Sequence, residues 1–192
     1  MWRFRGAGLV AALLTMAGVV GIGVMEGIGI GVLFSLILVL RAVAFPDDAV
    51  LGQVGPEEFH DRQRHPEATA IPGVVVYRFS SLLFFANCGT FRDRAEELVD
   101  TAPEPLHGFI LDASAMVEVD LAACEVLSDF HEKLRERGIR LVIANLRGNV
   151  RERLVRGWEV AATDKGLFMA SVGAAVRDLR ANLNNQAGAT AP

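Results

Sequence analysis

Between Gly6 and Leu40 the sequence has one ionisable residue, Glu26, and elsewhere it lacks most of what catalysis or nucleic-acid recognition is built from. It contains two cysteines and four histidines in 192 residues. His107 and His131 have no Cys or His at ligand spacing, and His60 and His65, though near Glu57, Glu58 and Asp61, fit no defensible ligand pattern, so no metal is expected. No Gly-rich phosphate loop, nucleophile with a base, or paired catalytic carboxylates can be assembled, so neither an enzyme nor a resident cofactor is expected. A net charge of −4 without a basic stripe carrying aromatics argues against nucleic acid as a partner.

What is present divides the chain into parts suited to different solvents. The overall mean hydropathy of +0.33 averages an almost uncharged N-terminal stretch with a patterned, charged remainder. A single helix over the uncharged stretch would reach roughly 52 Å, against a hydrocarbon core of about 30 Å. It is therefore expected to break, and Glu26 marks the expected place, giving spans over 6–25 and 27–44. A signal peptide would begin similarly, but no small-residue cleavage site is followed by polar sequence. Arg3 and Arg5 before the first span and Arg41 after the second put both ends in the cytoplasm by the positive-inside rule. Gly23, Gly27 and Gly31 repeat the small-residue spacing that lets helix backbones approach, and they also straddle the expected turn.

Residues 46–72 carry prolines, glycines and mixed charge without an apolar period and read as a linker. From Gly73 the pattern is strand and helix in alternation. Strands are expected over 74–79, 82–85, 108–112, 139–144 and 167–170. Helices are expected through Phe91, Ala95 and Val99, through Leu121, Cys124, Leu127, Phe130 and Leu134, through Val150, Leu154 and Trp158, and over 172–183. The fold class is α/β, one domain over 73–184 with a short tail at 185–192. Cys88 and Cys124 fall on expected buried faces and read as small core residues.

The segment Val117 to Leu127, VEVDLAACEVL, then has a definite place. It belongs to the turn from the carboxyl end of one strand to the amino end of the next helix, with Asp120 as N-cap and Glu118 on the surface. In open α/β sheets this edge is where ligands bind, because helix N–H groups and the helix dipole face outward there. The turn itself holds no Lys or Arg. Arg147, Arg151, Arg153 and Arg156 cluster around the following helix, where Arg147 and Arg151 offer a possible anion or headgroup contact. A Glu152–Arg156 pair would partly neutralise that face.

At this point the sequence resembles a family. FILDASAMVEVDLAACEVLSDFHEKLRERGIRLVIANLRGNVRERLVRGW is similar to a STAS domain. VLGQVG, VVVYRFSSLLFFANCGTFRDR and GVMEGIGIGVLFSLILVLRAV resemble the linker, tail and last membrane stretch of SulP sulfate and anion permeases. The resemblance implies a STAS-like mixed β-sheet flanked by helices, preceded by a transmembrane hairpin over 1–45 and sitting at the inner (plasma) membrane with the STAS domain cytoplasmic. It also implies that the chain alone does not form a transport path, because such transporters hold their anion between half-helices from earlier spans.

The resemblance further implies a regulatory or assembly role. Its partners would be other transporter spans, a second STAS domain in a homo-oligomer, membrane lipid, or a nucleotide or small anion at a loop formed by Asp112, Ser114, Glu118, Asp120 and Leu121. Soluble STAS regulators, the anti-sigma-factor antagonists, are phosphorylated on a serine after the junction Asp. Here Leu121 and Ala122 follow Asp120 and offer no hydroxyl; Ser114 and Ser128 are not aligned with the acceptor. The alternative is a membrane-tethered adaptor that binds a regulatory protein without serine phosphorylation.

Overall fold

The computed structural model describes residues 2–189, and the chain forms two compact units, divided between Phe45 and Pro46.

The first unit is a pair of helices, α1 (Trp2–Gly21) and α2 (Val24–Ala44). The break falls earlier than expected, at Ile22 and Gly23. Gly23 has φ 156°, open to glycine and strained for a residue with a Cβ. Glu26 accordingly lies not in the turn but in the first turn of α2, where the positive end of the helix dipole favours a carboxylate. Gly27 and Gly31 face α1. A Cβ on Gly31 would stand 2.5 Å from Thr15 Oγ1, and one on Gly18 would stand 3.1 Å from Gly27 Cα, so these glycines permit the close helix approach. A Cβ on Gly21 or Gly29 would meet nothing within 4 Å. Helix α2, with a mean hydropathy of 2.3, is long and apolar enough to cross a membrane; the apolar part of α1, Gly8–Gly21, is shorter.

The second unit is a six-stranded mixed sheet in the order β2-β1-β3-β4-β5-β6. Its elements are β1 (Asp48–Gln53), β2 (Phe59–Asp61), β3 (Val74–Phe79), α3 (Cys88–Asp100), β4 (Gly108–Asp112), α4 (Leu121–Glu136), β5 (Arg140–Ala144), α5 (Gly148–Gly157), α6 (Glu159–Thr163), β6 (Phe168–Met169) and α7 (Val172–Ala189). Strands β3 to β6 are parallel neighbours, while β1 runs antiparallel to both β2 and β3.

Two expectations differ from this arrangement. Residues 46–72, read as a linker, supply β1 and β2 and bury Leu51, Ala68 and Ile71. Residues 82–85, read as a strand, form only an isolated bridge from Leu83 to Val119. Asn87 prevents a strand there: its Oδ1 accepts from Phe84 N at 3.0 Å and its Nδ2 donates to Leu82 O at 2.9 Å, folding the segment into a turn before α3.

Alternation along the central strands sends side chains to two cores. Phe109 and Leu111 of β4 pack with Tyr77, Phe79, Leu141 and Ile143 under α3, α4 and α5. Ile110 and Val142 pack on the other face under Val172, Ala175, Val176 and Leu179 of α7. The first core is rich in aromatic edges, with Phe109 and Phe130 centroids 5.1 Å apart and Phe79 and Phe91 5.5 Å apart. Complete burial of each large side chain stabilises the fold by about 1.5–3 kcal/mol. Cys88 and Cys124 are buried here; burial pushes the Cys88 thiol up to about 11, leaving it protonated and unreactive at neutral pH.

Candidate functional site

The parallel strands β3, β4 and β5 end together, and Arg78, Asp112 and Ala144 are aligned by register at that edge. The carboxylate of Asp112 is completely buried. Arg78 Nε donates to its Oδ2 at 2.6 Å, Asn145 Nδ2 donates to its Oδ1 at 2.9 Å, and the Ser114 amide donates to Oδ1 at 3.1 Å. Burial alone would raise the acid, but the Asn145 and Arg78 hydrogen bonds and the Arg78 charge outweigh it and hold Asp112 below the ordinary carboxylate range. Asn145 has φ 59°, a left-handed conformation that asparagine tolerates and that turns the chain from β5 toward α5.

Asp120 is the second organising carboxylate. It caps α4, Oδ1 accepting from Ala123 N at 2.9 Å, while Oδ2 accepts from Phe85 N at 2.8 Å. One side chain thereby ties the start of α4 to the turn before α3. The neighbouring apolar side chains point out: Phe85 is 76% exposed, Leu121 67% and Val117 43%. Glu118 lies on the surface in an ion pair with Arg153 at 2.9 Å. A shallow depression beside Asp120 is lined by Leu121, Cys124, Arg153 and Arg156.

The structure thus brings Asp112, Ser114, Glu118, Asp120 and Leu121 to one sheet edge but gives them unlike environments. Asp112 is internal scaffold, Asp120 a cap, and Leu121 a projecting surface side chain. The arginines are engaged differently. Arg151 lies over the Phe168 ring at 5.3 Å, Arg156 is 4.0 Å from Glu152, and Arg153 is engaged by Glu118. Arg147 is exposed at the N-terminus of α5. His60 and His65 are outside this site, their rings 4.6 Å apart, with His65 Nδ1 2.9 Å from Glu67 Oε1.

Sequence reasoning missed Arg78, Phe85 and the part Asn145 plays at Asp112. The one available signal for Arg78 was its place near the end of an otherwise apolar strand, VVVYRF. Nothing local marks Phe85 as exposed.

The STAS domain model matches residues 65–160, which hold strands β3, β4 and β5, both carboxylates and the loops between them. The chain belongs to the STAS domain family. It is 42% identical over 153 residues to a probable sulfate transporter of Mycobacterium tuberculosis, covering 79% of this chain and 27% of the relative. It is 30% identical over 187 residues to probable sulfate transporter 4.2 of Arabidopsis thaliana, covering 92% of this chain and 28% of that protein. The STAS chain therefore spans little more than a quarter of the length of these relatives. Its fold also matches the murine anion transporter Slc26a9 in the inward-facing state, with a TM-score of 0.80 at 23% identity, over 94% of this chain and 30% of the transporter. The relatives are transporters, and a membrane setting fits the apolar helix α2.

Proposed function

We propose that the chain is a membrane-anchored STAS module, equivalent to the C-terminal regulatory and assembly part of a SulP-type sulfate or other anion transporter. In this reading α1 and α2 cross the inner membrane as a hairpin, and both termini and the STAS domain are cytoplasmic. The observation that carries it is the direct succession of α2 and β1, an apolar helix of crossing length leading within three residues into a STAS domain. The 42% identity to a protein named as a probable sulfate transporter supports the same setting. Among the described residues α1 and α2 are continuous helices, and the facing half-helices from which secondary transporters build a midplane substrate site are not among them. The chain by itself is accordingly not transport-competent and acts with other spans, a second STAS domain, or both.

Expression of this chain alone in a strain lacking sulfate uptake tests the reading. No uptake is expected, and affinity purification in mild detergent is expected to recover transporter subunits or further copies of the chain. Sulfate uptake by the chain alone would overturn it. A second reading, a tethered adaptor for a regulatory protein, is favoured by the exposed Leu121 beside the Asp120 cap; recovery of a soluble regulator without membrane subunits would support that reading instead.

A further inference from the structure

The route by which the chain enters the STAS domain has a geometric consequence. Asp48, the first residue of β1, is opposite Phe79, the last residue of β3, and Ser80 N donates to Asp47 O at 3.1 Å. The polypeptide therefore arrives at the sheet edge where β3, β4 and β5 end. That is the edge of the Asp112 and Asp120 carboxylates. Between Ala44, the end of α2, and Asp48 lie only Phe45, Pro46 and Asp47, a reach of no more than about 14 Å. If α2 crosses a bilayer, this edge cannot lie far from the headgroups.

The composition of the edge suits that neighbourhood. Residues 80–87 carry no ionisable side chain. Phe85 and Leu121, the two most exposed apolar side chains there, flank the single Asp120 carboxylate that fixes both backbones, and Val117 adds a third. Helices α3, α4 and α5 all begin at this edge, each following a strand that ends there, so their positive ends face outward. Arg147 adds a full positive charge and has no ion-pair partner among the described residues. The charges around the tip are mixed, with Asp47, Glu118 and Asp120 beside Arg147 and Arg153, so it is the exposed apolar side chains, and not a net positive field, that match the headgroup boundary of a leaflet. The patch is small, but a three-residue tether makes the contact intramolecular, so weak contacts hold.

We propose that this edge is a lipid-contact surface, in which Phe85, Leu121 and Val117 insert at the headgroup boundary of the leaflet and Arg147 meets lipid phosphate. The proposal rests on the membrane-anchored reading above and names lipid as a partner of the same edge.

Nitroxide labels on Phe85→Cys, Leu121→Cys, Glu136→Cys and Leu33→Cys variants of the full chain, in nanodiscs with and without phosphatidylglycerol, provide the test. Cys88 and Cys124 are buried and compete little for label. Labels at 85 and 121 are expected to collide severalfold more with oxygen, relative to an aqueous nickel chelate, than the label at 136 at the far end of α4. The difference should persist without the anionic lipid, because the apolar side chains carry the contact. Water-like ratios at 85 and 121, with a hydrocarbon-like ratio at 33, would overturn lipid contact and leave the anchoring intact. A water-like ratio at 33 would overturn the anchoring and the proposal with it. Protection of 85 and 121 from both reagents would show a protein covering the edge and overturn lipid contact.

Discussion

Arg78 and Asp112 are register partners on adjacent parallel strands, and their side chains meet at 2.6 Å where β3 and β4 end. The carboxylate is fully buried while the Arg78 side chain is 36% exposed. The pair therefore holds an internal charge at the base of the candidate edge, with its counter-charge open to water. The loop that leads to Asp120 starts from this anchored point.

Removal of the arginine leaves Asp112 with Asn145 and a backbone amide only. Arg78→Met is expected to reduce the unfolding free energy by about 2 kcal/mol. That is below the roughly 3–5 kcal/mol for breaking a fully buried pair, because water already screens the exposed guanidinium. Urea denaturation of the detergent-solubilised protein, followed by circular dichroism, measures the loss. A change within about 0.5 kcal/mol, the range of ordinary surface substitutions, would show that the pair is not structural.

Asp120 is expected to separate its two roles by substitution. Asp120→Asn retains an oxygen for Ala123 N but presents an amide nitrogen or leaves Phe85 N unmatched, so it should be intermediate. Asp120→Ala loses both bonds and should be less stable by about 1–2 kcal/mol. Hydrogen exchange resolves them: the Phe85 amide is expected to lose protection in both variants and the Ala123 amide only in the alanine variant.

Stability is expected to fall with pH in two separate windows. Asp112 titrates lower in the folded state than in the unfolded one, so as pH drops below the ordinary carboxylate range the unfolded chain takes up the proton first. The stabilisation, present above the unfolded value, is lost as pH falls through the folded one. Burial likewise lowers His131 beneath its ordinary value of 6.5, so its contribution is lost as pH falls from that value toward the folded one. Denaturation midpoints measured from pH 7.5 to 3 should show both declines, with His131→Phe removing the upper and Asp112→Asn the lower.

The helix pair offers a geometric test. A Cβ on Gly31 would stand 3.3 Å from Thr15 Cβ, close to the disulfide separation of about 3.5–4.5 Å. Thr15→Cys with Gly31→Cys is therefore expected to cross-link on mild oxidation in membranes. Failure of this pair to cross-link would refute the helix contact. Gly27→Leu, which forces bulk against Val19, should abolish the cross-link, and its persistence would show that Gly27 does not sit tightly against α1.

Legibility in the sequence followed the range of the interactions. β4 and α4 could be read because their apolar periods are local: GFILD is apolar up to its closing aspartate, and Leu121 to Leu134 repeats at helical spacing. β1 could not, since DAVLGQ neither alternates nor runs apolar, and its strand character depends on pairing with residues 77–79. Residues 82–85 misled because Leu83 is core and Phe85 is surface within one apolar run. The Asp120 cap was legible from the helix start, whereas Arg78 and Asn145 converge on Asp112 only through the sheet register. Glu26 marked the hairpin, but the backbone broke at Gly23, where a residue free of a Cβ was available.

Alkaline carbonate extraction of cell membranes containing the full chain tests the anchored STAS module most directly. The protein should remain wholly in the membrane pellet and be released only by detergent, with the STAS domain open to protease in inverted vesicles but not in intact spheroplasts. Recovery of the intact chain in the carbonate supernatant would contradict the account.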